Sequence, residues 1–214
     1  MTRSVANSGF EGNVTEYAPP YTGAPIATIT SDFSSPIGLA FDPNGNLFVA
    51  NASFYVEEYA PPYTGAPTAT ISNGVNDPFA VAFNASGSLF VANLAGFNVT
   101  EYSPPYTGAP AAAISNGVNF PAGLAFDANG DLFVDDASFP GIVAEYAAPY
   151  SGAPKAAISN GLGSPRGLAV DADGNLFVAN HNTNSITEYA PPYSGAPITT
   201  INGLDQPWGL AFGP

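Results

Sequence analysis

Short apolar runs alternate with polar turns along the whole chain, and the runs return in the same order. The run at 47–51, LFVAN, returns from Leu89, Leu132 and Leu176. A second run, PIGLAFD from Pro36, returns in altered form from Pro78, Pro121, Pro165 and Pro207. The spacing between copies is about 43 residues. A fixed period of this length predicts a solenoid or a propeller.

Each repeat contains four runs, labelled here strands a to d, and all four favour β-structure. In the first complete repeat they lie at 39–42 (a), 47–51 (b), 56–59 (c) and 69–72 (d). A turn of the type Asp-x-Asn-Gly separates a from b. Between c and d lies an insert, Ala-Pro-Pro-Tyr-Thr-Gly-Ala-Pro, whose prolines cannot donate to a ladder and therefore end strand c. No stretch shows helical periodicity.

The four strands and the two chain ends together predict the fold. Apolar residues on both faces of strands a and b are typical of sheets that stack face to face, and four antiparallel strands repeated radially predict an all-β propeller. The N-terminus supplies strands b, c and d, and the C-terminus supplies only a strand a, at 208–212. Joining the two ends completes a fifth blade and removes open sheet edges. We therefore predict one domain over 1–214, a closed five-bladed propeller of twenty strands, with part of a six-bladed propeller as the alternative.

The repeat unit resembles the NHL repeat. The resemblance is carried by Pro-x-Gly-Leu-Ala-Phe-Asp-x-Asn-Gly-Asn-Leu-Phe-Val-Ala-Asn, followed by Val-Thr-Glu-Tyr, over nearly the whole chain. It implies a propeller of the kind known as interaction platforms. Similar propellers include lactonases of the gluconolactonase type and streptogramin lyases, which hold a metal or catalytic carboxylates, amides and histidines at the mouth of the central channel. Because one fold hosts many activities, the resemblance indicates the fold and leaves the function open.

Charge excludes several partners. The chain has 3 basic and 17 acidic residues, a formal net charge of −14. Nucleic acid is excluded because its binding needs clustered Lys and Arg, and an anionic membrane surface is disfavoured for the same reason. No apolar run approaches the ~20 residues of a membrane-spanning helix. The N-terminus as it stands has no secretory signal, so an extracellular or cell-surface location would require a leader that has been removed.

Cysteine is absent and histidine occurs once, at His181. Disulfides, thiolate catalysis and Cys-ligated metals are therefore excluded, and one chain cannot form a multi-His metal site. We expect no cofactor, with a divalent cation such as calcium as the alternative. The Asp-x-Asn-Gly turns look like the start of a calcium loop, but they lack its final bidentate glutamate and its flanking helices. A hairpin turn explains them better.

Positions that are the same in every repeat are interpreted as structural, because every blade must solve the same packing problem. One glutamate per repeat lies on strand c: Glu16, Glu58, Glu101, Glu145 and Glu188. Strand c is near the outside of a blade, so these carboxylates are held apart rather than paired for acid–base chemistry. The insert tyrosines, such as Tyr21 and Tyr63, are presented stiffly by the prolines. They either pack over the blade edges or form a multivalent rim for sugars.

The position after the loop proline differs in every repeat, which is the pattern expected of a site. Propeller topology brings these residues and the ends of strand b to one face, around the mouth of the channel. The predicted ligand-binding residues are Ile37, Phe79, Ala122, Arg166 and Trp208 after the prolines, with Asn51, Asn93, Asp135, Asp136, Asn180 and His181 at the strand ends. Aromatic, guanidinium, amide and carboxylate groups in one place are what a small-ligand pocket needs.

Three functions fit these residues. The first is a non-catalytic binding or scaffold module for a small molecule, a peptide or a glycan at the channel mouth. The second is a lactonase- or lyase-like enzyme that holds a divalent metal with Asp135, Asp136, Asn51, Asn93 and Asn180. It is weakened because no glutamate lies at the mouth and His181 is the only imidazole. The third is a multivalent carbohydrate binder that uses the rim tyrosines. We favour the first and expect a monomer, with self-assembly as the alternative.

Overall fold

The computed structural model describes residues 3–8, 12–30, 33, 35–52 and 54–212. These residues form nineteen β-strands and no helix, so none of them belongs to a helix that could cross a membrane. The strands make five antiparallel sheets, named I to V in chain order. The all-β prediction is confirmed, and the five sheets are the blades of a five-bladed β-propeller.

The strands follow one another in chain order within every sheet. Sheet I contains β1 (Arg3–Asn7), β2 (Asn13–Tyr17) and β3 (Ala27–Ile29). Sheet II contains β4 (Pro36–Phe41), β5 (Leu47–Asn51), β6 (Tyr55–Tyr59) and β7 (Ala69–Ile71), and sheet III contains β8 (Pro78–Phe83), β9 (Leu89–Asn93), β10 (Asn98–Tyr102) and β11 (Ala112–Ile114). Sheet IV contains β12 (Leu124–Phe126), β13 (Leu132–Asp136), β14 (Ile142–Tyr146) and β15 (Ala156–Ile158), and sheet V contains β16 (Pro165–Val170), β17 (Leu176–Asn180), β18 (Ser185–Tyr189) and β19 (Thr199–Asn202).

Two compact units make up the chain. Unit 1 comprises residues 1–96 and 100–112, and unit 2 comprises residues 97–99 and 113–214. Sheets I and II lie in unit 1 with most of sheet III, and sheets IV and V lie in unit 2. Folding of the whole chain as a single domain stays a prediction.

Each hairpin between strands a and b in sheets II to V is closed by the predicted turn. In sheet II, Asp42 Oδ1 accepts hydrogen bonds from the backbone N–H groups of Asn44 and Asn46, at 2.9 and 2.7 Å. Gly45 has a φ of +84°, a left-handed conformation that glycine adopts at least cost. The same pair of bonds is made by Asn84, Asp127 and Asp171. The hairpin-turn interpretation of this motif is confirmed.

Within each unit, neighbouring sheets pack through one repeated apolar contact, called the junction here. The front face of a sheet carries apolar residues of strands b, c and d, and the back face of the next sheet carries the alternate residues of its strand b. In unit 1, Phe48 and Ile71 on the front of sheet II pack with Leu89 and Val91 on the back of sheet III. In unit 2 the residues of the junction between sheets IV and V include Phe133, Val143, Ile158, Leu176 and Val178.

A buried tyrosine of strand c completes the junction. The hydroxyls of Tyr102, Tyr146 and Tyr189 donate to the backbone oxygens of Asn73, Asn116 and Asn160, at 2.7, 2.6 and 2.5 Å. Each acceptor lies in the loop that follows strand d of the preceding sheet. Burial raises the pKa of all three tyrosines, that of Tyr146 to about 12. The hydroxyls are therefore neutral donors, and they fix the alignment of one sheet on the next.

The insert tyrosines fold back onto their own hairpins. The hydroxyls of Tyr63, Tyr106, Tyr150 and Tyr193 donate to the backbone oxygens of Gly45, Gly87, Gly130 and Gly174, at 2.7 to 2.9 Å. The Tyr106 ring also packs edge-on against Phe48 and Phe83, with centroid distances of 5.1 and 5.8 Å. Tyr106, Tyr150 and Tyr193 are buried. The packing interpretation is correct for these three rings, which do not form the exposed rim that the carbohydrate hypothesis requires.

Replacing Tyr106 with Phe is expected to lower the free energy of unfolding by about 1 kcal/mol, because Gly87 O loses a buried donor while the ring packing is kept. Chemical denaturation measures the change. Tyr63→Phe is the matched comparison: it removes the same kind of bond at a half-buried ring, where water can replace the donor, so its effect should be smaller. Equal stability of wild type and Tyr106→Phe would show that the bond contributes nothing.

The C-terminal segment 207–212 contains residues 208–212, which were expected to be the fourth strand of sheet I, and it forms no strand. In the described part of the chain sheet I has three strands, and β1 pairs with β2. The segment packs on sheet V instead: a Cβ on Gly167 would collide with Trp208 O, and the rings of Phe177 and Phe212 meet edge-on at 5.0 Å. These contacts, rather than strand hydrogen bonds, hold the segment in place.

Candidate functional site

The predicted site residues are divided between the two units. Unit 1 contains Ile37, Phe79, Asn51 and Asn93. Unit 2 contains Ala122, Arg166, Trp208, Asp135, Asp136, Asn180 and His181. A single ring of all of them stays a prediction, while the contacts within each unit are defined.

The asparagines at the ends of strand b are structural. Asn93 Oδ1 accepts from the N–H of Asn76 at 3.0 Å, and its Nδ2 donates to Thr100 Oγ1 at 2.9 Å. Equivalent bonds join Asn180 to Gly163 and Thr187, and Asn51 to Ser35. All three asparagines are 0% exposed. The amides of Asn93 and Asn180 connect the loop before strand a to strand c, and Asn51 binds the same loop, so all three side chains make structural hydrogen bonds. A role of these residues in ligand binding stays a prediction.

The other two candidates in unit 1 are apolar. Ile37 and Phe79 are half-buried, at the second position of β4 and of β8. The two strands approach each other closely, since a Cβ on Gly38 would lie 2.6 Å from Phe79 O. These side chains can offer contact area to a ligand, but no charge or hydrogen bond.

Unit 2 brings together three chemically different side chains. The guanidinium carbon of Arg166 lies 4.8 Å from the centroid of the Trp208 ring, and the His181 ring meets Trp208 edge-on at 5.7 Å. Arg166 comes from the start of β16, His181 follows β17, and Trp208 belongs to the C-terminal segment. Trp208 is 40% exposed and the other two are half-buried. A cation over an indole face is an attractive geometry, so the cluster is ordered before any ligand arrives.

A buried carboxyl, that of Asp135, adjoins this cluster. It is 1% exposed and stands on β13 where other sheets have alanine: Ala50, Ala92 and Ala179. Its Oδ1 accepts from the N–H groups of Ala122 and Gly123, at 2.8 and 2.7 Å. Because these two backbone N–H groups donate to the Asp135 side chain, β12 begins only at Leu124. The equivalent strand of sheet V, β16, begins three positions earlier in the repeat, at Pro165, which is the counterpart of Pro121. A Cβ on Gly123 would lie 2.5 Å from Asp135 Oδ2, so a larger residue there would displace the Asp135 side chain.

The protonation of Asp135 determines the charge of the cluster. Burial raises the pKa of Asp135 to about 8, although the N–H groups of Ala122 and Gly123 and the charge of Arg166 act to lower it. At neutral pH this carboxyl is therefore mostly protonated. In the described part of the chain Arg166 forms no ion pair with any carboxylate, so its charge is not neutralised. Asp135 Oδ2 and Arg166 Nε are also buried without a hydrogen-bond partner, an unusual state for native polar atoms.

The metal set proposed from the sequence is not assembled within unit 2. Asp136 points away from Asp135: its Oδ2 accepts from Asn119 Nδ2 at 2.9 Å and its Oδ1 from the N–H of Ser138 at 3.1 Å. Among the described residues, no three His, Asp or Glu side chains are placed to hold a metal ion. Ala122 is 4% exposed and contributes only its backbone N–H, so its side chain is not available to a ligand.

Sheet IV also contains a charged cluster that the sequence did not indicate. Lys155 Nζ lies 2.7 Å from Asp131 Oδ2 and 2.8 Å from Glu145 Oε1, and these two hydrogen bonds raise the pKa of Lys155. Glu145, treated from the sequence as one of five equivalent carboxylates, is thus the buried member of an ion pair. A cavity of about 550 Å³ opens beside the cluster, with Asp127 and Tyr193 in its lining. The sequence contained a signal for this cluster, because both Asp131 and Lys155 stand at positions where the other repeats have uncharged residues.

Comparison with known proteins supports the fold. The family model of the NHL repeat matches residues 162–189. No curated protein matches the chain. Among solved structures, a functionally unknown protein from Desulfotomaculum acetoxidans is similar with a TM-score of 0.77 and 18% identity, over 98% of this chain and 71% of that one. Virginiamycin B lyase from Staphylococcus aureus is similar with a TM-score of 0.68 and 9% identity, over 98% of this chain and 77% of that one.

At these identities the solved structures support the fold alone and say nothing of the ligand. The family match falls on residues that form β16, β17 and β18 with their turns, where the repeat has its full pattern. The resemblance seen in the sequence is confirmed by this match, which covers residues 162–189, and the fold of the chain is that of a five-bladed β-propeller.

Proposed function

We propose that the chain is a non-catalytic binding protein whose ligand docks on Arg166, Trp208 and His181. The observation that carries the proposal is the guanidinium of Arg166, stacked on a partly exposed indole and unpaired with any carboxylate among the described residues. Arginine and tryptophan are the residue types that most often supply binding energy at interfaces. Arg166 and Trp208 also occupy the position that varies between repeats, where blade packing does not dictate the side chain.

The chemistry of the three groups selects a ligand class. The guanidinium offers a fork of donors for a carboxylate or another anionic group, and the indole offers a flat apolar surface. Because the protein carries a net charge of −14, anions are repelled from most of its surface, and a positive group that keeps its charge gives local selectivity. The ligand that fits best is a small molecule or peptide with a carboxylate beside a flat or apolar portion.

Binding is expected to weaken by about 2 kcal/mol, roughly 30-fold in affinity, in each of the variants Arg166→Ala and Trp208→Ala. Trp208 is the single tryptophan of the chain, so its fluorescence reports directly on the site. A panel of aromatic carboxylates, sugar acids and short peptides can be screened by this signal. Calorimetry then measures the affinity of the best compound for each variant.

Arg3→Ala is the matched control for the arginine variant. Arg3 also lies over an aromatic ring, that of Tyr21 at 4.4 Å, but it belongs to unit 1. Affinity for the selected compound should be unchanged in Arg3→Ala. Arg166→Lys should recover only part of the affinity, because lysine keeps the charge and loses the planar fork. Normal binding by Arg166→Ala and Trp208→Ala would contradict the proposal.

The enzymatic alternative rests on one observation, the pKa of Asp135 near neutrality, which suits a general acid or base. It ranks second because a proton-transfer group must reach its substrate, and Asp135 is 1% exposed. The virginiamycin B lyase is similar in fold at 9% identity, which adds no support for a reaction in this chain. Ring opening of lactones in the presence of the protein, absent in Asp135→Asn, would promote this alternative.

A further inference from the structure

Three phenylalanines of unit 2 are exposed on loops and are named the aromatic patch here. Phe97 lies between β9 and β10, Phe120 between β11 and β12, and Phe139 between β13 and β14. Their exposed fractions are 50, 44 and 71%. The rings of Phe97 and Phe120 meet edge-on, with a centroid distance of 5.3 Å. Exposed apolar side chains that cluster in this way are typical of an interaction surface.

The equivalent place in sheet V is polar. Asn184 directly precedes β18, as Phe97 directly precedes β10. Gln206 precedes a proline in the loop after β19, as Phe120 does in the loop after β11. The N–H of Gln206 donates to Asn184 Oδ1 at 3.0 Å. A hydrogen-bonded polar pair can therefore stand at these two positions, and the fold does not require aromatic rings there.

The backbone of Phe97 has a conformation that suits smaller residues better. Its φ is +53°, in the left-handed region. Asn184 and Gly141, at the same position before β18 and β14, have φ values of +53° and +85°. Asparagine and glycine adopt this conformation readily, whereas a bulky side chain there costs free energy. A strained and exposed ring does not help the chain to fold, so a role in binding explains it better.

Hydrogen bonds connect the loops of the aromatic patch to a loop of the proposed site. The N–H of Ala137, two residues before the third ring, donates to Phe120 O at 2.9 Å. Ser164 Oγ donates to Ala137 O at 2.6 Å, and Ser164 O accepts from the N–H of His181 at 3.1 Å. These loops of unit 2 are thus fixed to one another before any ligand binds.

The charges on these loops favour an acidic ligand. Asp135 and Asp136, at the end of β13, are 1% and 5% exposed, so neither presents a carboxylate to solvent. The exposed Asp205 lies in another loop, after β19. Arg166 forms no ion pair within the part of the chain that the structure describes. Apolar rings and an unpaired guanidinium together complement a ligand that is apolar and carries a carboxylate.

We propose that the aromatic patch extends the site at Arg166, and that the two together bind a segment of a partner protein with large apolar side chains and a carboxylate. The apolar side chains pack on Phe97 and Phe120, and the carboxylate meets the guanidinium. The inference rests on the proposed function and narrows its ligand to a peptide. A peptide is favoured over a small molecule because the groups belong to loops of sheets III, IV and V.

Other occupants fit these loops less well. Phenylalanine rings offer none of the donors and acceptors that a glycan needs. The net charge of −14 opposes binding to an anionic membrane. Because the loops are already connected by hydrogen bonds, a peptide can bind with little loss of conformational freedom in this protein.

Selection of random peptides displayed on phage, with the full chain as the target, supplies the probe for a test. We expect the selected peptides to share large apolar residues and at least one Asp or Glu. Calorimetry with a synthetic copy of the best peptide then measures its affinity. Phe97→Asn and Phe120→Gln, which introduce the residues found in sheet V, should each weaken binding by at least about tenfold, and so should Arg166→Ala.

The same two phenylalanine variants separate binding from folding. Asparagine suits the backbone of Phe97, so Phe97→Asn should melt at or slightly above the temperature of wild type. Both variants should keep wild-type affinity for a small aromatic carboxylate selected for the Arg166 site, because such a compound does not reach the aromatic patch.

Ile198→Ser is the matched control. Ile198 is 59% exposed and belongs to unit 2, but it lies between the insert and β19, at the opposite end of the strand from the loop after β19. This variant should bind the peptide like wild type.

Several results would overturn the inference. If both phenylalanine variants bind the peptide like wild type, or if selection yields no peptide, the aromatic patch is not a peptide site. The proposed function would still stand if Arg166→Ala weakens binding of the small carboxylate. Peptide binding that depends on the phenylalanines and not on Arg166 would contradict both. Binding of wild type to phosphatidylcholine vesicles, lost in Phe97→Asn, would assign the patch to a lipid surface instead.

Discussion

The free energy of unfolding is expected to fall by on the order of 5 kcal/mol between about pH 4 and pH 8 because of Asp135 alone. Burial raises the pKa of this carboxyl from its ordinary value of 3.8 to about 8. The folded protein therefore keeps a proton that the unfolded chain has released. Stability from this group is complete below the unfolded pKa and is lost progressively as the pH rises to the folded pKa. Urea denaturation at a series of pH values measures the loss.

Asp135→Asn isolates this contribution from the sixteen other acidic residues. The amide oxygen can still accept the N–H groups of Ala122 and Gly123, and the amide does not titrate. We expect the variant to match wild type near pH 4 and to exceed it by on the order of 5 kcal/mol at pH 8. A constant difference between the two proteins over this range would mean that Asp135 titrates in the folded protein as it does in the unfolded chain.

Asp171→Asn is a control in which the pH dependence of stability has the opposite sign. Burial acts to raise the pKa of Asp171, but hydrogen bonds from Asn175 and the turn backbone prevail, and the pKa is lowered from 3.8. Its stabilising contribution is therefore present above the unfolded pKa and is lost as the pH falls through the folded pKa. Replacing the Asp171 carboxylate should therefore lower the free energy of unfolding at neutral pH. The decline in stability between pH 4 and pH 8, which comes from Asp135, should remain.

Deleting residues 207–214 is expected to lower the free energy of unfolding by on the order of 5 kcal/mol. The segment covers Gly167, stacks Phe212 on Phe177 and supplies Trp208 to Arg166. Its removal exposes these apolar groups on sheet V, which also favours aggregation. Calorimetry and light scattering measure the two effects.

A smaller change isolates one contribution of the segment. Phe212→Ala should account for part of the loss through the ring contact with Phe177. If the protein without 207–214 does not aggregate and melts like wild type, the contacts of the segment with sheet V contribute nothing to stability.

Local chemistry explains why most of the fold could be predicted from the sequence. The turn at Asp42 and Gly45 is made from bonds within five residues and from one left-handed glycine, so its sequence is sufficient to identify it. The buried strand Leu47–Asn51 is apolar along its whole length, and its hairpin partners follow directly in the chain. The predicted C-terminal strand at 208–212 does not form among the described residues, because the pairing of such a strand depends on residues at the other end of the chain and not on its own sequence.

The candidate site was predicted only in part. Arg166, Trp208 and His181 stand out from the sequence because their positions vary between repeats, and unit 2 brings them together. Asp135 was named from the sequence as a ligand-binding residue and, in the enzymatic alternative, as a metal ligand. Its actual state, a buried and mostly protonated carboxyl held by two N–H groups, follows from the desolvation that packing imposes.

The sequence by itself determined the repeat, the strand order, the turn type and the sheet faces, since all of these depend on neighbours close along the chain. The tertiary structure alone decided which copies of a repeated residue are buried. Val5 and Val49 occupy equivalent positions, yet one is 44% exposed and the other 0%. The difference arises because a residue's burial depends on the sheet that covers it, and the repeated sequence is the same whether or not that sheet is present.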